Sequence, residues 1–595
     1  MYSLRRTIPL IQLLVLLVAG CATVPTVPEL VRGDMNTAER QQADAYLHFM
    51  QGSLREQGGD LDGAMAEYEE AFRLDPRSAD VADALASLSL HRGKVDDAAL
   101  YARKAIELDP EQTESLMLLA GISSGKRQYD EAITLYRKVI VIDPSQEEPY
   151  VYLGSLYAAL KRYDEAIQTF RALEKKNAAS VMSPYYIGRI ETERKHFPEA
   201  LAEFKRAIAL RDDFDPAWTG MGVVYELMNQ PREAVEAYKK SLVLNPHNIE
   251  IRQRAAQLLI QENSLDEALE QLRKLVAADA KNYDAYVKMG LIYVEKQQYS
   301  EAVKAFRIAS LGVPDNLKIR QYLGTVFIAM EEYDEALKEY EFILKRQPDD
   351  TDAILQIAYI YAQQDRIEDA VPLLEKAIKD QPGKADLYLY LANAQMDREK
   401  YPEAAAVLKQ GIEMAPDRDD LWFSLAIVNE KLGKRSEMID ALKKTIELKP
   451  DHADALNYLG YSYAEAGENL DEAVSLIKRA LLLKPDSGYI MDSLAWAYYQ
   501  KGMYKDALDV MAKAIAKMEN DDAVMREHYG DIYLKLGRKD KAREQWIRSL
   551  ELDPANQKLR DRFRSTGLGD PDKFVKPEAK KDGADEAPKP ASKNP

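Results

Sequence analysis

The chain has 595 residues, 46% hydrophobic and 30% charged, with 28 glycines, 26 prolines and one cysteine. That is enough apolar material for a core, and it excludes a wholly disordered chain, a collagen-like one, a disulfide framework and a cysteine-ligated zinc site. A net charge of −18 argues against a nonspecific nucleic-acid binder, whose phosphate contacts need a basic stripe.

The chain opens MYSLRRTIPLIQLLVLLVAGC. Arg5 and Arg6 give a positive start, and Ile8 to Val18 is an apolar run too short to span a bilayer as a helix. It closes on Val18-Ala19-Gly20-Cys21, with the chain's one cysteine at a small-residue cleavage point. This resembles the lipobox of bacterial lipoproteins. The resemblance implies that Cys21 is diacylated on sulfur and becomes the new N-terminus. It also implies that Ala22 directs the protein to the outer membrane of a two-membrane bacterium, facing the periplasm. Several acyl chains anchor stably where one is marginal. The alternative is an ordinary secretory signal over residues 1–21 with an incidental cysteine. Residues 22–42, with Pro25 and Pro28, read as a tether and lead-in.

From residue 43 the chain repeats itself. Prolines fall at Pro76, Pro110, Pro144, Pro246, Pro314, Pro348, Pro382, Pro416 and Pro450, always 34 residues or a multiple apart. Twelve residues before these marks runs an alanine column, Ala64 through Ala404, which Met438 interrupts and Ala473, Ala507 and Ala542 resume. A second small column precedes it by about twelve residues, including Gly52, Ala86, Gly154, Gly222, Gly460 and Gly530. Two helices approach closely only where facing side chains are small, so these columns predict the contact between helix A and helix B of a hairpin. Larger residues such as Leu153, Tyr157, Phe170, Tyr238 and Phe306 are expected to fill the gaps between units. Proline ends helix B, and the Asp before it (Asp75, Asp109, Asp143, Asp553) suits a turn.

This pattern resembles the tetratricopeptide repeat (TPR). The resemblance implies an all-α solenoid of about fifteen 34-residue units over 43–554. Joints near 175–184, 209–216 and 277–282 lack the usual proline and are expected to be looser. Residues 555–566 read as a polar capping helix, and the Pro- and Lys-rich stretch 567–595 as disordered.

Catalytic motifs do not survive this register. Gly121-Ile122-Ser123-Ser124-Gly125 matches GxSxG, but on a helix and not on the strand–turn–helix elbow the nucleophile needs. Gly220-Met221-Gly222 is the repeat's small column, with no strand before it. The six histidines form no metal-ligand spacing and are expected on the surface. Carboxylates are expected on solvated helix faces with unraised pKa. No catalytic residue, metal or cofactor is therefore expected.

What remains is a binding surface. The groove positions of a TPR unit are aromatic and aliphatic in the C-terminal third: Phe423, Ile427, Tyr461, Tyr489, Trp496 and Tyr499, interleaved with Asn393, Asn457 and Asp492. Rigid aromatics beside hydrogen-bonding groups are what protein partners anchor on. The alternative is that these side chains pack against the next unit. The Lys/Asn clamp of chaperone-binding TPR domains is missing, since Leu389 stands where Asn393 would need its lysine. The stretch Leu456 to Tyr499 is similar to the C-terminal part of outer-membrane TPR lipoproteins, among them the lipoprotein adaptor of the carboxy-terminal processing protease. That resemblance implies a scaffold presenting a periplasmic protease or cell-wall enzyme. Polysaccharide export and pilus or outer-membrane assembly are the alternatives, and an envelope hydrolase is the rival from another class.

Overall fold

A computed structural model of the protein describes residues Asn36–Val575. Cys21, the rest of the signal and residues 576–595 lie outside the described residues. Among the described residues there are thirty-one α-helices, from Thr37–Gln57 to Gln557–Ser565, followed by a 3-10 turn at Pro571–Lys573, and no strand. The first thirty helices pair as fifteen hairpins. The chain divides into two compact units, one up to Asn282 and one from Tyr283. The first holds seven hairpins and the second holds eight with the last helix.

The hairpin's geometry follows from its small columns. In the pair Glu148–Ala159 and Tyr163–Lys176, a Cβ on Gly154 would stand 2.4 Å from Phe170 Cε2. The same holds for Gly222 beneath Tyr238 at 2.3 Å, Gly290 beneath Phe306 at 2.5 Å and Gly530 beneath Trp546 at 2.2 Å. Each ring lies one turn after the helix B alanine, so alanine and ring share a face. Phe170, Tyr238 and Phe306 therefore pack inside the hairpin, not only between units as the sequence suggested. Phe170 and Phe306 also reach the next hairpin, stacking on Tyr186 at 5.0 Å and Tyr322 at 5.3 Å.

Each hairpin turn needs one residue in the left-handed region. Gly59, Gly93, Gly433, Gly502 and Gly537 supply it without strain. Nine turns in succession, from Arg127 (φ 60°) through Lys161, Gln297 and Glu331 to Glu399 (φ 56°), use other residues.

Between hairpins, the aspartate before proline folds back on the backbone: Asp143 Oδ1 accepts from Ser145 N at 3.0 Å, and Asp109 Oδ1 from Glu111 N at 2.9 Å. The sixth residue after the proline often closes the joint. Tyr150 Oη, Trp422 Nε1 and an Arg252 Nη donate to the carbonyls of Pro144, Pro416 and Pro246.

Two joints expected to be loose are packed. At 175–184, Asn177 Oδ1 accepts from Ala179 N, Ser183 Oγ donates to the Phe170 carbonyl at 2.7 Å, and Val181 is buried. At 209–216, Phe214 meets Tyr185 edge-on at 5.2 Å beneath the Arg211 guanidinium. Side chains there do what proline does elsewhere. The third, at 277–282, coincides with the division between the units.

At the C-terminus, Leu559 and Phe563 of helix Gln557–Ser565 are buried and Phe563 meets Trp546 at 5.8 Å. Residues 567–575, expected to be disordered, instead fold back. Fully buried Arg560 donates to Asp572 at 2.6 Å and to the Val575 carbonyl at 3.0 Å, while Leu568 packs into the same core. At the other end, the first helix starts at Thr37, inside the expected lead-in, with Asn36 and Glu39 forming a capping box.

Candidate functional site

The sequence-predicted groove residues lie on consecutive A helices of the second unit: Asp419–Lys431, Ala453–Ala466 and Gly488–Gln500, with Ala523–Lys535 next in line. The repeat register sorts them into two columns. Phe423, Asn457, Asp492 and Glu527 stand three residues before the small position of their helix, and Ile427, Tyr461, Trp496 and Asp531 stand one after it. Positions four apart share a helix face, so the columns run side by side.

The structure brings part of this set together. Trp496 lies between Tyr499, stacked at 4.7 Å, and His528 of the next A helix, stacked at 4.0 Å. Asp492 accepts from His528 Nδ1 at 3.0 Å; the two residues are 7% and 6% exposed. Asp492 is therefore a buried support that holds the imidazole under the indole, not a free groove group. Nor is His528 the surface residue the sequence suggested. Burial pushes the Tyr461 phenol up to about 12, with the charges of Glu465 and then Asp492 adding to it. The Tyr499 phenol is pushed up to about 12 by burial, with Asp531 adding to it. Phe423 forms a separate contact, over His452 at 4.7 Å and edge-on to Tyr458. Ile427 is half-buried on its helix. Tyr489 is 60% exposed at the first turn of its helix, two turns from Trp496.

The sequence reading missed Asp531 and Arg562. Asp531 continues the Trp496 column and accepts from Trp546 Nε1 at 3.0 Å and Arg562 Nη1 at 2.7 Å. Burial raises its carboxyl to about 7 against the opposing His528 charge and Trp546 hydrogen bond, so not every carboxylate sits on a solvated face. Arg562, from the last helix, also reaches Glu527 and lies over the Trp546 ring at 5.4 Å, ending both columns with one guanidinium. The 35-residue step from Glu527 to Arg562 was the available sequence signal.

Two polar atoms of the predicted set, Asn457 Oδ1 and Trp496 Nε1, are buried with no hydrogen-bond partner among the described residues. An unpaired buried group costs about 1–3 kcal/mol. Other motifs are structural. Ser123 is buried and donates to Glu131 at 3.0 Å, and Gly220 and Gly222 lie beneath Phe204 and Tyr238. Among the described residues no three His, Cys, Asp or Glu side chains stand as a metal-holding group, and no helix is long and apolar enough to cross a membrane.

Models of known families agree with this architecture. Tetratricopeptide repeat models match residues 49–113, 152–217 and 525–556. Models of the cytochrome c-type biogenesis protein H TPR domain, the anaphase-promoting complex (cyclosome) subunit 3 and the cilia and flagella-associated protein 70 C-terminal domain match 205–320, 91–173 and 308–528. No curated protein sequence matches the chain. Among solved structures, the APC/C hetero-tetramer Cut9-Hcn1 is similar at 16% identity over 77% of this chain and 90% of that one, with a TM-score of 0.32. MamA is similar at 26% identity over 27% and 95% (TM-score 0.25), and Naa15/Naa10 bound to HypK-THB at 12% over 89% and 84% (TM-score 0.29). The repeat models fall in both units, and each unit is a solenoid of tetratricopeptide repeats.

Proposed function

We propose that the protein is a non-catalytic, protein-binding scaffold held by lipid on Cys21 at the periplasmic face of the outer membrane, where it presents or assembles a partner such as a protease or cell-wall enzyme. The observation that carries the binding role is the half-buried, stacked aromatic pair Trp496 and Tyr499 on the A-helix face of a repeat array. The location rests on the lipobox-like Val18 to Cys21, and the choice of partner on the resemblance carried by Leu456 to Tyr499.

Two experiments test the reading. Metabolic labelling with an alkyne fatty acid should mark the wild type and not Cys21→Ser; an unlabelled wild type overturns both anchor and location. In-cell crosslinking followed by pull-down from solubilised envelopes should recover one dominant partner from the wild type and lose it from Tyr461→Ala/Trp496→Ala. Equal recovery from both would make the aromatics core.

A further inference from the structure

One concavity lies away from the aromatic cluster. A groove of about 910 Å³ lies in the first unit, along helices Ala79–His91, Thr113–Gly125 and Glu148–Ala159. It opens over Gly121, which holds the column position that Ile427, Tyr461 and Trp496 occupy in the second unit. A Cβ on Gly121 would find only the Tyr136 hydroxyl, at 4.0 Å, and one on Gly125 nothing within 4 Å. The floor is therefore open because side chains are missing from it. Its walls are apolar: Leu90, Met117 and Tyr152, the last fixed by stacking on Tyr136 at 5.9 Å.

The rim's unpaired charge is of one sign. Glu114 and Glu148 line the groove, and neither has a cationic partner among the described residues. The lining cation, Lys126, is already held by Asp96 at 2.5 Å. Between the lining residues Gln146 and Glu148, Glu147 keeps a buried carboxylate oxygen without any hydrogen-bond donor. An apolar trough edged by uncompensated carboxylates repels an acidic or phosphorylated segment and suits apolar side chains flanked by cations.

We infer that this groove binds a short segment of a protein partner in which aliphatic or aromatic residues are flanked by lysine or arginine. The inference rests on the scaffold reading for its biological setting, and places a second contact in the other unit from Trp496.

The test is fluorescence anisotropy on the purified full chain. The probe is a fluorescein-labelled nonapeptide with a Leu-Phe-Leu centre flanked by lysines. Gly121→Trp, which fills the floor, should weaken binding at least about tenfold, and Glu114→Gln/Glu148→Gln should do so by several fold. Trp496→Ala should leave it unchanged. Because Gly121 is exposed and unencumbered, Gly121→Trp should keep the wild-type helicity by circular dichroism. The proposal is overturned if the wild type does not bind the probe or if Gly121→Trp binds it as well. It is also overturned if a version with serine for Leu-Phe-Leu binds equally, which would mean charge attraction alone. A partner captured in cells and lost only from Tyr461→Ala/Trp496→Ala would keep the scaffold reading while these outcomes remove the groove.

Discussion

Trp496→Phe separates a binding anchor from a core residue by the sign of two effects. Trp496 Nε1 is buried without a partner, which burdens the free protein by about 1–3 kcal/mol. Phenylalanine removes that atom while keeping a ring between Tyr499 and His528, where each stacked pair contributes about 0.5–1.5 kcal/mol. The volume lost from a half-buried site costs less than about 1.5 kcal/mol. The two changes nearly cancel, so local stability should move by no more than about 1 kcal/mol, in the stabilising direction if the orphan dominates. Binding should respond oppositely. A partner that packs on the exposed part of the indole loses contact area to the smaller ring, about 0.5–1.5 kcal/mol or a two- to twelvefold weaker complex. Repeat arrays open locally, so the stability readout is amide hydrogen exchange across 488–535, with quantitative crosslinking recovery as the binding readout. A loss of more than about 2 kcal/mol of exchange protection with unchanged partner recovery would show that the indole is core, and would refute the reasoning from the orphaned atom.

Further outcomes follow from the same contacts. Gly154→Ala pushes a Cβ to 2.4 Å from Phe170 and should cost a net of about 1–2 kcal/mol after the gain in helix propensity, whereas Gly121→Ala, with open space, should stabilise by up to about 1 kcal/mol; thermal melts of the pair check the sign. Gln297→Gly relieves a left-handed residue (φ 56°) at an exposed turn and should stabilise by about 0.5–1 kcal/mol in urea unfolding, the steric relief exceeding glycine's added entropy. Asp531 has its folded pKa raised from 3.8 to about 7, so its contribution to the last repeats is present below pH 4 and is lost as pH rises through 7. Asp531→Asn should flatten that slope in exchange protection over 523–552, and an unchanged slope would assign the titration elsewhere.

The repeat itself was legible because it is written in steric terms: a glycine under each ring, an alanine at each close approach and a proline at each exit. Period and register needed no tertiary information. Which ring met which glycine did not follow, because Phe170 can pack backward on Gly154 or forward on Tyr186, and it does both. The loose joints were misread for a related reason. A missing proline is visible in sequence, but the Ser183 hydroxyl on the Phe170 carbonyl, 13 residues away, is not. The site was legible only as two columns. That Asp492 is spent on His528, and that Asp531 is held by Trp546 and Arg562, depends on neighbouring helices closing over them.

One column of the repeat supports two unlike surfaces, and the difference lies in what fills it. At 461 and 496 the column carries aromatics, which cover the face they stand on and offer a partner the half-exposed parts of their rings. At 121 it carries only hydrogen, and the same face becomes a trough whose walls come from other positions. Searching for aromatic anchors finds the first kind and passes over the second, because hot-spot residues are recognised by size whereas their receiving pockets are defined by the absence of it. The two surfaces also differ in what they can discriminate. A filled face selects by shape against fixed rings. An open apolar trough tolerates many shapes and relies on its rim for selection. Charge reversal at Glu114 and Glu148 should therefore change which peptides the first unit accepts, while Asn457→Asp should change how tightly the second holds one partner.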